Sequence, residues 1–596
     1  MSSDLSEYEV ENEALRLCAQ LEGLSMSAAA TTDSPAKWVD SAPLFREAAR
    51  AVCNNLVLRR KLGIIPAFFP LVARLLVTLK TAIQSVYTAE PTNEYGDDFG
   101  RCGYTSWKSA NGATELTTAV FHLIRNLVAA VPENQILACQ SGCYKTLDEI
   151  LSHFSLWLQR NKTNSCPDIK VIACKSVQMG MQCLANIMTS NPIVQNKVWP
   201  RFFGESELFL ILFETNDCKT VNYVLLCIYN CIYNDPQRSS FLLQTPLGRK
   251  ILHKILLLID TPTNQTTSPS EEDDHFEIVY AIFKTLTTSL PPAHTFKSQC
   301  LLNKDTPSET APIHLNSLNR AHLVFLKLAD GNMAENSGTS LWGDGYAKTT
   351  IKLMEVLVTS LQRFHDAIVA AGSASGIDAI GSDVEAIMLI LTYFGRITGG
   401  DDASVEAAVV AAREAGVFVS GPEEAMWRRR KMFVELGLVE PVVKFLVVAG
   451  KIQPPVAGGI AKSNGMGGPK IMEVDERVEE VLDVVRKGLY MLKGAAIKVL
   501  SNLSYKCKEG QDEVRRTGGI PVILNHCHID DAQPFVKEYA VFAIRNLCEG
   551  NLENQKLIES MEVIGLPEGQ NEGLAAHGVR AGLSDDGRVR ISPVDF

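Results

Sequence analysis

The chain has 596 residues, 46% hydrophobic and 21% charged, a globular balance on a length that suits several domains or one long repeat array. Its net charge of −11 excludes a broadly basic surface for phosphate backbones, so no nucleic-acid partner is expected. The 15 cysteines are scattered with no CxxC pair, and the acidic start MSSDLSEYEVENEALRL is unlike a signal peptide; reduced thiols in a cytoplasmic protein are the expectation.

In chain order, residues 1–40 read as an N-terminal helix and linker. Residues 41–260 read as a first set of helical repeats, with loops inserted at 89–113 and 159–168. The most apolar stretch, 63–83, is broken by Arg74 and Lys80 and falls short of a membrane span. A polar, acidic segment at 261–275 reads as a linker, and 276–450 as central helical repeats with further insertions at 292–317, 329–345 and 371–382. Within them the run Arg428-Arg429-Arg430-Lys431 is expected to be a solvated helix face. Residues 451–472 form a Gly/Pro-rich loop, 473–566 carry further repeats, and the Gly-rich tail 567–596 is expected to be disordered.

The repeats show in the letters. FHLIRNLVAAVPENQ (121–135) and VFAIRNLCEGNLENQ (541–555) share Ile-Arg-Asn-Leu and Glu-Asn-Gln in one register, and IKVLSNLSYKCKEGQ (497–511) joins them. Looser copies lie around Asn55, Asn186 and Asn230. Both Asn186 to Asn230 and Asn502 to Asn546 span 44 residues, within the roughly 40–47 of armadillo and HEAT units. Junctions such as Gly518-Gly519-Ile520-Pro521 and Gly437-Leu438-Val439-Glu440-Pro441 suit one helix ending and another starting. The expected fold is all-α, an armadillo/HEAT-like α-α superhelix with loop insertions and a disordered tail.

Such arrays bind proteins along one face. The repeated Asn126, Asn186, Asn230, Asn502 and Asn546 are the candidate binding residues, because a side-chain amide both donates to and accepts from peptide backbone. Phe542 and Lys498 lie one turn before two of them, and Arg545 stands beside Asn546; His122, Gln182 and Leu226 complete that flank. The competing reading is that each Asn bridges within the array, and Arg125 and Arg545 likewise. The pairs Cys139/Cys143 and Cys227/Cys231 and the cluster His526-Cys527-His528 are read as ordinary burial and exposure, not metal ligands. No GxxxxGK[ST], GxSxG or HExxH occurs, so neither an enzyme nor a cofactor is expected. Ser268-Pro269 and Ser592-Pro593 are candidate sites for proline-directed kinases.

Residues 492–558 carry a specific resemblance. SNLSY (501–505), the GGIP turn, HIDDAQPFVKEYA (528–540) and AIRNLCEGNLENQ (543–555) resemble the C-terminal domain of the ataxin-10 family, with mild departures from its pattern at Gln533 and Tyr539; the long Gly-rich insertions and tail suggest a divergent, fungal-type branch. The resemblance implies an armadillo-like, non-catalytic cytoplasmic scaffold with protein partners, self-association and a role in cytokinesis. The alternatives are an armadillo-type transport adaptor that binds targeting peptides and, of another class, an enzyme or copper-handling protein.

Overall fold

The structure is a computed structural model that describes residues 7–30, 35–161, 167–259, 269–289, 320–335, 344–371, 377–399, 418–451, 476–527, 534–561, 579–583 and 589–593, without 54, 88–103 and 216, plus scattered positions between 406 and 416. It divides into two compact units, residues 1–290 with 302–305, and 291–301 with 306–596.

The first unit contains helices Glu7–Ala30 (α1), Pro35–Cys53 (α2), Leu56–Gly63 (α3), Phe68–Tyr87 (α4), Tyr104–Val128 (α5), Pro132–Gln140 (α6) and Cys143–Arg160 (α7). These are followed by Pro167–Met188 (α8), Pro192–Pro200 (α9), a π turn at Arg201–Glu205, Leu208–Phe213 (α10), Cys218–Ile232 (α11), Pro236–Gln244 (α12), Pro246–Leu258 (α13) and Pro269–Ser289 (α14). The second unit contains Arg320–Glu335 (α15), Asp344–Ala371 (α16), Ile377–Thr398 (α17), Pro422–Glu435 (α18), Val439–Lys451 (α19) and Glu476–Ser504 (α20). Lys508–Arg516 (α21), Gly519–Leu524 (α22), Pro534–Cys548 (α23) and Leu552–Glu559 (α24) complete its helices.

Packing follows a period of three helices. In the first unit α2, α5, α8, α11 and α14 lie each against the next; α4, α7, α10 and α13 form a second layer; and the short α3, α6 and α9 a third. In the second unit the same layers are α15–α17–α20–α23, α16–α19–α22 and α18–α21–α24. Three helices per repeat is the armadillo form of the α-solenoid.

The backbone repeats more strictly than the sequence. Each Asn-marked helix ends in a left-handed residue four positions after its Asn: Ala130 (φ 57°), Ser190 (54°), Asn234 (55°), Lys506 (50°) and Gly550 (68°). Only the last is glycine, although an L side chain costs roughly 1–2 kcal/mol in that region. The next residue starts the short helix. Asn191, Asp235 and Asn551 cap it by accepting from the backbone N–H three residues on, and Pro132, Pro192 and Pro236 occupy the first turn. A second left-handed turn, at Gly142, Gly437 and Gly518, separates the short helix from the outer one, as the Gly-Gly and Gly-Leu junctions predict.

The helices are amphipathic, and their apolar faces form the core. Helix α4 is long and apolar enough to cross a membrane by length and composition. In the structure Phe68, Leu75, Leu76, Leu79 and Ile83 are buried against α1, α5 and α7, while Lys80 on its polar side pairs with Glu149 at 2.9 Å.

Several expectations need correction. The insertion expected at 89–113 ends earlier, because α5 begins at Tyr104. The linker expected at 261–275 ends by Pro269, where α14 starts. Asn55 is not a repeat asparagine: it lies after α2 and caps α3, accepting from Leu58 N–H at 2.9 Å. The basic run at 428–431 is only partly solvated. Arg430 is buried, donates to Tyr505 O at 3.3 Å and stacks on the Tyr505 ring at 5.2 Å, and burial lowers its pKa and that of Arg429. The tail expected to be disordered holds an antiparallel hairpin, Val579–Leu583 (β1) with Val589–Pro593 (β2). Val579, Val589 and Ile591 favour strand. The segments 89–103, 261–268, 292–317 and 452–472, with Ser268 and His528, lie outside the described residues.

Candidate protein-binding face

The five repeat asparagines form a ladder from helix to helix. Asn126 Nδ2 donates to Ala49 O at 2.8 Å, and Asn186 Nδ2 to Arg125 O at 3.1 Å. Asn230 Nδ2 donates to Thr189 Oγ1 at 3.2 Å, and Asn502 Nδ2 to Gly395 O at 3.3 Å and Thr398 Oγ1 at 3.4 Å. Asn546 Nδ2 reaches Ser501 O at 3.2 Å and Ser501 Oγ at 3.0 Å. Arg125 and Ser501 each immediately precede the Asn of their own helix, so the amide addresses the same rung in both units.

A glutamine closes two of these joints, α5–α8 and α20–α23, from the other side. Gln135 Nε2 donates forward to Asn186 O (2.8 Å) and Thr189 O (3.1 Å), and its Oε1 accepts from the cap residue Asn191 at 2.8 Å. Gln511 Nε2 donates to Asn546 O (2.9 Å) and Glu549 O (3.1 Å), and its Oε1 accepts from Asn551 at 3.1 Å. Gln135, Asn191, Gln511 and Asn551 are all buried, where unpaired amides would be costly. At the intervening joint, Gln195 Oε1 accepts from buried Arg238 instead, at 2.8 Å.

The ladder limits what the asparagines offer a ligand. Asn126 is 4% exposed, which corrects its expected place on a binding surface. Asn186, Asn230, Asn502 and Asn546 are half-buried, with Nδ2 engaged as above. Arg125 bridges neighbouring helices, donating to Asn126 Oδ1 at 3.0 Å and Gln182 Oε1 at 2.7 Å. His122, Gln182 and Leu226 are half-buried, and burial beside Arg125 lowers the His122 pKa.

The same face of the C-terminal repeats is different. Phe535 (64% exposed), Tyr539 (40%) and Phe542 (56%) fall at i, i+4 and i+7 on α23, in line with Asn546. The residues 44 positions earlier on α20 are Met491 (67% exposed), Ala495, Lys498 and Asn502. Lys498 and Arg545 are exposed, and Tyr505 at the end of α20 stacks under Arg430 and Lys506. Aromatic rings edged by cations make a surface suited to bind protein, and neighbouring apolar side chains left in water on two adjacent helices mark a contact site. The motif copies at 541–555 and 497–511 place Phe542, Arg545 and Lys498; they do not reach Phe535, Tyr539 and Met491, though i−7 and i−11 from the repeat Asn pick these out.

The remaining chemistry is closed. Cys139, Cys143, Cys227 and Cys231 are buried; burial raises the Cys143 thiol to about 11 and Cys231 to about 12, and raises Cys139 and Cys227 as well. Among the described residues no group of three His, Cys, Asp or Glu side chains is placed to hold a metal ion. His526 Nδ1 meets Val522 O at 2.8 Å within its own turn. A groove beside the π turn is lined by Asp148, Glu149, His153, Arg201 and Ser206. Two of its carboxylates are already engaged, Asp148 by Arg201 at 2.5 Å and Ser206 at 2.8 Å, Glu149 by Lys80.

Layering, caps and ladder define an armadillo-type α-solenoid with an aromatic face on its C-terminal repeats. Residues 492–592 match the model of the spinocerebellar ataxia type 10 protein domain. Over 98 residues the chain is 49% identical to the ataxin-10 homolog of Dictyostelium discoideum, and over 76 residues 46% identical to human ataxin-10. Over 95 residues it is 34% identical to the ataxin-10 homolog of Saccharomyces cerevisiae. These matches cover 13–16% of this chain and 16% of each relative. Residues 492–592, from within α20 through the hairpin, are thus similar to the ataxin-10-family domain. Among solved structures, an engineered protein (14% identity, TM-score 0.29, covering 89% of this chain and 98% of that one) and SYS-1 (11%, 0.24, covering 91% and 99%) are similar only at a level that carries no weight.

Proposed function

We propose that the chain is a non-catalytic, cytoplasmic protein-binding scaffold that takes part in cytokinesis, as its ataxin-10 resemblance implies, and that it holds partners on the ladder face of α20 and α23. The observation that carries this reading is the stripe Phe535, Tyr539 and Phe542, left in water on a helix whose neighbouring stripe, Val536, Ala540, Ala543 and Leu547, is buried. Exposed aromatics backed by a rigid helix are the usual energetic centre of a protein contact. Lys498 and Arg545 beside them favour a partner segment that is acidic around an apolar anchor.

The test is a quantitative pull-down from native extract with the full chain and with Phe535→Ser plus Phe542→Ser, both checked for helicity by circular dichroism. Specific partners that vanish with the double variant support the reading and name the pathway. An unchanged partner set, with the chain folded, sinks it. A panel of acidic and basic targeting peptides separates this role from the transport adaptor. Self-association and cytoplasmic residence come to this chain through the same resemblance; sedimentation and cell fractionation test them.

A further inference from the structure

The hairpin β1–β2 holds a feature the scaffold reading does not use. Its register pairs Arg580 with Ser592, and Ser592 is followed by Pro593. Both Arg580 and Ser592 are exposed, and Ser592 Oγ already donates to Arg580 O at 3.4 Å across the strands. Side chains of directly paired residues stand on the same face of a sheet, with Cβ atoms about 5 Å apart, within the reach of an arginine. The strand that carries Ser592 is extended and has one side unpaired in a two-stranded sheet. Proline-directed kinases need this presentation: an extended chain, an accessible hydroxyl and a proline just after it.

We propose that Ser592 is a phosphorylation site whose phosphate is captured by Arg580, so that modification locks the hairpin closed. In the transfer step Ser592 Oγ bonds to the γ-phosphorus of ATP and the bond from that phosphorus to its bridging oxygen breaks. ADP leaves, and the hydroxyl proton passes to the carboxylate base of the kinase. The product carries nearly two negative charges and three acceptor oxygens directly across from a guanidinium, the geometry for charge-assisted hydrogen bonds. Modification removes the long hydroxyl bond from Ser592 to Arg580 O and replaces it with a charge-assisted one to the guanidinium; an isolated two-stranded hairpin is marginal in water, so this exchange moves its opening equilibrium measurably. Ser592 is also the last residue of the family match, so the lock belongs to the domain that carries the aromatic face.

The test uses the full chain with ATP and a recombinant proline-directed serine/threonine kinase, read by phosphopeptide mapping and by hydrogen exchange over 579–593. Phosphate is expected on Ser592 and absent from Ser592→Ala. Exchange in both strands should slow roughly three- to tenfold on phosphorylation. In Arg580→Gln the serine should still be modified but the slowing lost. The proposal fails if Ser592 stays unmodified while other Ser-Pro or Thr-Pro sites are labelled. It fails equally if exchange is unchanged or faster after modification, or if Arg580→Gln keeps the protection.

Discussion

In the N-terminal unit Gln135, Asn186 and Asn191 close the joint between α5 and α8; in the C-terminal unit Gln511, Asn546 and Asn551 close the one between α20 and α23 with the same donors and acceptors. The surfaces beside these joints differ. On α5, α8 and α11 the positions one turn before the Asn are the half-buried His122, Gln182 and Leu226. On α20 and α23 they are the exposed Lys498 and Phe542. Joint and surface are therefore separable: the residues that make the repeats recognisable hold helices together, and variation one turn away decides what the face can bind.

That separation can be broken by removing a joint. Gln511→Ala strands the carbonyls of Asn546 and Glu549 and leaves the Asn551 amide only its bond to Asp512 Oδ1 at 2.9 Å, and should cost about 3 kcal/mol in denaturant unfolding of the C-terminal unit. Gln135→Ala should cost a similar amount, with hydrogen exchange placing the loss in α5 to α9. Equal losses confirm one joint used twice; a loss in one unit alone breaks the comparison.

The next effect belongs to the C-terminal unit. Burial raises the Asp383 carboxyl from an ordinary 3.8 to about 6, against a hydrogen bond from Ser360 that lowers it. The folded state thus keeps a proton that the unfolded state releases, and stability falls as pH rises between about 4 and 6. Asp383→Asn should gain about 3 kcal/mol at pH 7 and nothing at pH 3.5, read as paired melting curves.

The surface half of the comparison is sharpened by Phe542→Ala. Because the ring is exposed, stability should stay within about 0.5 kcal/mol, whereas partner affinity should fall roughly tenfold or more by titration. The reverse pattern would make Phe542 a packing residue. The smallest effect tests the shared left-handed turn. Ala130→Gly should stabilise the first unit by about 1 kcal/mol, and Gly550→Ala should destabilise the second by the same amount.

Much of the fold was legible because it is periodic. The 44-residue spacing, the Asn-Leu and Glu-Asn-Gln copies and the Gly-Gly junctions all mark real positions, and three helices per repeat fit the expected armadillo class. The sequence could not show which group each Asn amide meets, since Ala49 O, Arg125 O and Ser501 O lie 77, 61 and 45 residues away from their donors. Composition misled at Arg430, whose charge suggests solvent although the end of α20 covers it. It misled again at Asn55, a cap with the same letters as a rung. The hairpin was hidden because five-residue strands among glycines carry little pattern.

The ladder also fixes distance. Four of the five amides address a particular backbone oxygen just before them in the stack, and Asn230 addresses Thr189 Oγ1, so neighbouring helices cannot slip by a turn without losing these partners. Side chains at equal repeat positions, Met491 and Phe535 or Lys498 and Phe542, are thereby held at one helix spacing, about 8–10 Å. The face is a ruler with marks at that interval, and a segment laid across it is measured for where its own anchors fall, not only for what they are.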